Sequence, residues 1–286
     1  MLSKTRKWLG ILSALVLAVS LFSVPVSAVF AAASTRVYIG GEEFLSSSII
    51  SRIEGVTYVP LRDFVLALDE TAELTWNEEK KTAYVSTQGL EIRVPQNEQY
   101  IVANGRYLYL YGTVRNQGGS LTLPIRPLAE AFGVSVSWDA ESQTVFVSGE
   151  INPILPGWAY YDETSVYWLS HIIYSEAGGE SLDGQIAVGQ VVLNRVGNAC
   201  WPNNIHDVLF DDRCGVQFSP TANGAIYMEP SGMAVAAAKM ALVGADIVGD
   251  SYYFLNPDVS SDRWFERNCE YVTTIGSHRF YTGGLW

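Results

Sequence analysis

Apolar residues at Val166, Leu169, Ile172 and Ile173 recur at the spacing of a helix with one buried face, and Gly178 and Gly179 then supply a stop. Glu176 therefore falls in the predicted last turn. After Ser181 a second apolar run sets Val188, Val191 and Val192 on one side and Ile186, Gly189 and Leu193 on another, which predicts a helix buried on most faces. Residues 275–281 alternate apolar and polar, as a closing strand would. Upstream the pattern repeats: residues 57–68 correspond to 121–132, and each copy leads to a tryptophan, Trp76 or Trp138. Each copy then gives two apolar runs joined by polar turn residues, so the unit reads as strand, short helix, hairpin.

The placement of Glu176 suggests chemistry. Unsatisfied carbonyls at a helix C-terminus disfavour a negative charge, and Ile173, Tyr174 and Ala177 would add desolvation, so both effects raise its pKa. A carboxyl that keeps its proton near neutral pH is what a glycosidic oxygen needs from a general acid. Glycosidases commonly use two carboxylates, and Glu180 is the nearest second acid. A stop at Gly178 and Gly179 would separate the two.

The blocks Glu176-Ala-Gly-Gly-Glu180, Gly184-Gln185-Ile-Ala-Val, Val192-Leu-Asn-Arg-Val196, Trp201-Pro-Asn-Asn-Ile205, Gln217-Phe218, Phe254-Leu-Asn-Pro257 and Ile275-Gly-Ser-His278-Arg-Phe-Tyr281 follow one another in this order. Together they resemble the SleB-type, spore-cortex-lytic, cell-wall hydrolases over about residues 160–286. The resemblance implies a lysozyme-related, mainly helical domain with a small β element, acting on peptidoglycan, with Glu176 as the catalytic acid. It further implies a lytic transglycosylase that cuts between muramic acid and glucosamine units, where one Glu is first acid and then base and the muramic C6 hydroxyl replaces water. Spore cortex during germination and vegetative wall are both open as targets. Gln217, Phe218, Tyr253, Asn256 and His278 are candidate substrate contacts, with Glu180, Gln185 and Asn194 in support. The repeat, with Val-Pro-Leu-Arg at 59–62 and then Trp-Asn or Trp-Asp, resembles a copper amine oxidase-like N-terminal (stalk) domain.

These readings give an α+β chain with an export signal at 1–33, the stalk-like domain at 34–150, a Pro/Gly linker at 151–159 and the hydrolase domain at 160–286. The signal rests on Lys4, Arg6 and Lys7, an apolar core, and small residues at Val26-Ser-Ala28 and Ala31-Ala-Ala33. A secreted or wall-located monomer without stable membrane association is expected. Without those cations the chain keeps 15 Lys and Arg against 30 Asp and Glu, a formal charge of −15, so nucleic acid is excluded as a natural partner and aromatic platforms must hold a glycan.

Copper lacks ligands in the stalk-like region, because the histidines are His171, His206 and His278 and no cysteine lies there. The wide spacing of those histidines gives no zinc signal, and no cofactor is expected. Cys200, Cys214 and Cys269 allow one disulfide, for which a Cys200–Cys214 pairing would close a short loop. Two further functions remain open from sequence. One is a peptidase of wall stem peptides using Cys200 or Cys214 with His206 or His278, and the other is a wall-binding protein without catalysis.

Overall fold

The computed structural model describes residues 35–284 except 47–49, 214 and 261–263. The export segment expected at 1–33 lies outside the described residues.

The N-terminal half opens with β1 (Arg36–Ile39) and β2 (Glu42–Glu43). The first repeat follows as β3 (Ser51–Ile53), β4 (Val56–Pro60), α1 (Leu61–Leu68), β5 (Glu73–Asn77) and β6 (Thr82–Thr87). Three strands then intervene: β7 (Leu90–Pro95), β8 (Tyr100–Ala103) and β9 (Arg106–Tyr109). The second repeat is β10 (Arg115–Gln117), β11 (Ser120–Pro124), α2 (Ile125–Ala131), β12 (Ser135–Asp139) and β13 (Thr144–Ser148). Strand, short helix and hairpin thus recur as the pattern predicts. Pro60 and Pro124 stand at the helix N-caps with φ of −65° and −54°, a position where the ring fixes the turn and its missing N–H costs no hydrogen bond. The repeats join through antiparallel pairing of β4 with β11, Val59 facing Leu123, over a core that includes Leu61, Phe64, Leu128 and Phe132.

The C-terminal half packs α3 (Glu163–Ala177) against α4 (Leu182–Val196) and α7 (Gly232–Leu242), with the short helices α5 (Ile205–Leu209) and α6 (Ser219–Asn223) between. Asp162 caps α3 by accepting from the Ser165 N–H at 2.8 Å, and Ser181 caps α4 in the same way. Gly189 lets α4 approach closely, since a Cβ there would stand 2.8 Å from Ile173 Cδ1. Strand β14 (Tyr253–Leu255), helix α8 (Trp264–Asn268), β15 (Glu270–Ile275) and β16 (His278–Thr282) complete the chain, the strands forming an antiparallel sheet in the order β14-β16-β15. One expectation needs correction: residues 275–281 are not a single strand. Ile275 ends β15 and His278 begins β16, because Gly276 takes φ +55° and reverses the chain.

The strands between the repeats decide how the two halves meet. They extend the first hairpin into a five-stranded sheet, β5-β6-β7-β8-β9, whose far edge reaches the helices. Tyr109 is 9% exposed and belongs to the same apolar cluster as Ile173, Ile186 and Ala237, with Tyr100 and Tyr107 packed beside it. Its hydroxyl donates to Asp183 Oδ1 at 2.8 Å, and Gln99 Nε2 donates to the same oxygen at 3.0 Å. Burial and the Asp183 bond both push the Tyr109 pKa up. Tyr111 adds a second tie, its hydroxyl donating to the Asp246 carbonyl at 3.2 Å. Contacts of this kind hold the sheet on the helices.

Tyr109→Phe keeps the ring and removes the hydroxyl. Chemical denaturation of the full chain is expected to show a loss of about 2 kcal/mol, the scale of one buried hydrogen bond to a carboxylate; an unchanged midpoint would count against this docking.

Candidate active site

A cavity of about 460 Å³ opens between the end of α3, the start of α6, β14 and the β15–β16 turn. Glu176, Glu180, Gln217, Phe218, Tyr253, Asn256 and His278 all line it, so the folding brings together most of the residues singled out from sequence. Gln185 and Asn194 do not. Gln185 is buried in α4 and donates from Nε2 to the Glu180 carbonyl at 3.0 Å, while Asn194 Nδ2 donates to the carbonyls of Gly249 and Ser251 at 2.7 and 2.9 Å. Each steadies a wall: Gln185 the loop after α3, Asn194 the approach to β14.

Glu176 occupies the last turn of α3. Among the described residues its carboxyl has no hydrogen bond or ion pair, and burial raises its pKa from 4.5 to about 7. The helix C-terminus adds to this by opposing a negative charge. Burial therefore biases this carboxyl toward keeping its proton.

Glu180 is held differently. Its carboxylate accepts from the Ser277 backbone N–H at 3.3 Å and from the Ser277 hydroxyl. His278 Nδ1 is 3.8 Å from Oε1, too far for a hydrogen bond. Gly276 is pressed so close that a Cβ would collide with the carboxylate. Glu180 thus latches the β15–β16 turn to the loop after α3. Its oxygens are engaged, and it is not a free second acid.

The side chains around the two acids change the picture. Phe218 and Tyr253, read from sequence as sugar contacts, are only 2% and 3% exposed. They form the inner wall. The reason is Arg195, whose guanidinium lies over Phe218 at 5.0 Å, Tyr253 at 5.4 Å and Trp201 at 5.7 Å, with Nε donating to the Tyr252 carbonyl at 2.8 Å. Arg195 also lines the cavity and is itself buried, which pushes its pKa down to about 10. No spacing signal in the sequence marks a cation that aromatic rings enclose from distant segments. His278 is buried, edge-on to Phe254 with ring centres 5.3 Å apart, and burial lowers its pKa while Glu180 opposes that shift. Ser277, unnoticed before, is found only through the turn that Gly276 makes.

The other candidate chemistries lie elsewhere. Cys200 is exposed and free, so the short loop expected to close through Cys200 is open, and Cys214 lies outside the described residues. Cys269 is half-buried, which raises its thiol pKa. His206 bonds Asp207 at 2.9 Å, and His171 Nδ1 lies 2.7 Å from the Ile226 carbonyl. Among the described residues no cysteine lines the cavity.

A mainly helical domain with a small sheet, built around an isolated proton-holding carboxyl in a groove, defines the C-terminal half as a hydrolase-type domain. Residues 179–281 match the family described as Cell Wall Hydrolase, and residues 38–147 match the Copper amine oxidase N-terminal domain. The chain thus carries a cell wall hydrolase domain after a copper amine oxidase-like N-terminal domain. The family match begins at Gly179, three residues beyond Glu176. The spore cortex-lytic enzyme of Bacillus cereus is 34% identical over 120 residues, covering 42% of this chain and 45% of the relative. The spore cortex-lytic enzyme of Bacillus subtilis is 32% identical over 120 residues, covering 42% and 38%. This chain therefore spans less than half the length of these curated relatives. A solved structure, the catalytic domain of the germination-specific lytic transglycosylase SleB from Bacillus anthracis, is 34% identical and covers 43% of this chain and 97% of that one, with a TM-score of 0.39. The residues matched to the copper amine oxidase N-terminal domain include no histidine, cysteine or methionine, so they offer copper none of its customary side-chain ligands.

Because Glu176 binds its proton more tightly folded than unfolded, the associated stability is full below pH 4.5 and is lost as pH rises through about 7. Glu176→Gln removes this dependence. Denaturation at several pH values is expected to show the variant gaining on the parent by up to about 3 kcal/mol between pH 4.5 and 8; a constant difference would exclude a raised pKa.

Proposed function

We propose that this chain is an exported enzyme that degrades peptidoglycan, cleaving the glycan strand between muramic acid and glucosamine units as a lytic transglycosylase. The observation that carries the reading is Glu176, among the described residues unpaired and with its pKa pushed up to about 7 by burial, in a groove it shares with Glu180, whose oxygens Ser277 occupies.

One available carboxyl suits a mechanism that needs one. Protonated Glu176 gives its proton to the glycosidic oxygen, the C1–O bond breaks, and positive charge develops on the muramic ring. The resulting carboxylate then takes the proton of that sugar's C6 hydroxyl as its oxygen bonds C1. A 1,6-anhydro end forms, the leaving sugar carries a free hydroxyl, and Glu176 recovers its proton. Asn256 and Gln217 are proposed to hydrogen-bond the sugars from the rim, and His278 to do so from beside the Glu180 latch. Phe218 and Tyr253 act as apolar backing with Arg195. No cofactor enters this scheme.

The relatives' name, spore cortex-lytic enzyme, supports peptidoglycan as the substrate and cortex as the form of it. Export is proposed from the sequence at 1–33; among the described residues no helix is long and apolar enough to cross a membrane. A Cys/His peptidase finds no support, since no cysteine among the described residues lines the groove.

Digestion of purified peptidoglycan followed by mass spectrometry is expected to give ends lighter by one water than hydrolysis would give. Glu176→Gln should lower turnover by at least about 100-fold, the scale of general acid catalysis, with the melting profile of a folded protein. The parent's rate should fall as pH rises above about 7, where the acid form is lost. Ordinary reducing ends would replace transglycosylation by hydrolysis, and full turnover in the variant would remove Glu176 from the mechanism.

A further inference from the structure

A second cavity, about 420 Å³, lies on the seam between the two halves, where the β8–β9 turn, the segment after the Pro/Gly stretch and the start of α3 meet. Its rim carries three aromatic rings, Trp158, Tyr161 and Tyr167, together with Asp162, Glu163 and Lys239. Trp158 is 79% exposed and Tyr167 43%. Single exposed apolar residues are ordinary, but a tryptophan beside a cavity that shows two more rings is a patch.

The tryptophan is displayed on a rigid mount. The Gly157 N–H donates to the Asn104 carbonyl at 3.0 Å, Asn104 Nδ2 donates to the Ile154 carbonyl at 3.1 Å, and the Tyr161 hydroxyl donates to the Gly105 carbonyl at 2.6 Å. Arg106 lies over the next ring, Tyr160, at 4.0 Å. A Cβ at position 157 would collide with the Tyr161 hydroxyl, so only glycine permits this close approach. The backbone beside Trp158 is tied to the β8–β9 turn while the side chain remains in solvent. Such preorganisation lowers the entropic cost of binding.

The chemistry around the ring selects the ligand. Asp162 is spent on the α3 cap, leaving Glu163 as an acceptor and Lys239, which rests over Tyr107 and Tyr161 at 5.3 and 5.5 Å, as a donor. The rim carries two acids and one base on a chain of formal charge −12, a field that opposes phosphate polymers, nucleic acid and anionic membranes. A neutral pyranose satisfies it, with its C–H face on an aromatic ring and its hydroxyls on a carboxylate and an ammonium. We infer that this seam is a second saccharide site, taking neutral N-acetylhexosamine units of a glycan strand.

The site is separate from the groove. Tyr167 precedes Glu176 by nine residues, roughly 14 Å along α3 and half a turn around it. A strand held at Trp158 is therefore not positioned for cleavage by the same contact; the seam tethers the enzyme to an insoluble polymer while the groove works elsewhere on it. The choice of glycan as ligand rests on the function proposed above, whereas the exposed mount does not.

The test uses the full chain carrying Glu176→Gln, sedimented with purified peptidoglycan sacculi, with and without Trp158→Ala. Trp158→Ala is expected to weaken binding about ten-fold, the scale of one aromatic anchor, Trp158→Tyr to restore most of it, and a soluble N-acetylglucosamine tetramer to compete. With Glu176 intact, Trp158→Ala should slow digestion of sacculi but leave turnover of a short soluble glycan unchanged. Equal sedimentation, a loss that Trp158→Tyr does not restore, or no competition by the tetramer would overturn the site. Sedimentation on ice within minutes outpaces digestion, so activity persisting in Glu176→Gln would defeat the catalytic proposal and leave this binding comparison intact.

Discussion

A carboxyl buried without a partner is the constraint around which the C-terminal half is organised. Desolvation that raises Glu176 to about 7 is retained only if neighbouring cations and donors are kept from it. The fold does this by engaging them elsewhere. Arg195 is enclosed by three aromatic rings and bonded to the Tyr252 carbonyl, and Ser277 is committed to Glu180. Two acids in one cavity thereby receive opposite environments, one apolar and one hydrogen-bonded. That difference lets the groove do proton chemistry with a single group.

The geometry of this cavity depends on segments far apart in the chain. Helix α3 brings Glu176, and the loop after it brings Glu180. The β15–β16 turn arrives nearly a hundred residues later, held by Ser277 on Glu180 and so close to that carboxylate that only glycine fits at position 276. Gln190 performs a similar task on the opposite side of α4: its amide donates to Asp246 and Gly249 and accepts from the backbone of Ile247 and Val248. Buried amides used at every bonding position hold a loop in one arrangement. The loop so held leads into β14 and its cavity-lining residues.

The N-terminal half is more than an attached spacer. Its five-stranded sheet sends Tyr109 into the helical core and meets Asp183 in the first turn of α4, only three residues after Glu180. The same half supplies Asn104 and Gly105 to the mount beneath Trp158. Docking at these places couples the repeat domain to the loop that frames the groove and to the seam.

Local patterning determined much of this protein. Helical spacing located α3 and put Glu176 in its final turn, the repeated Val-Pro or Leu-Pro start defined both strand-helix-hairpin units, and two glycines separated Glu180 from that helix. These are short-range matters of periodicity and backbone conformation, written in neighbouring residues. The turn at Gly276, the latch from Ser277 to Glu180, the rings around Arg195 and the entry of Tyr109 into the second core were decided only by tertiary structure. Each depends on partners distant in sequence, and nothing in a residue's neighbours records which distant surface will desolvate it.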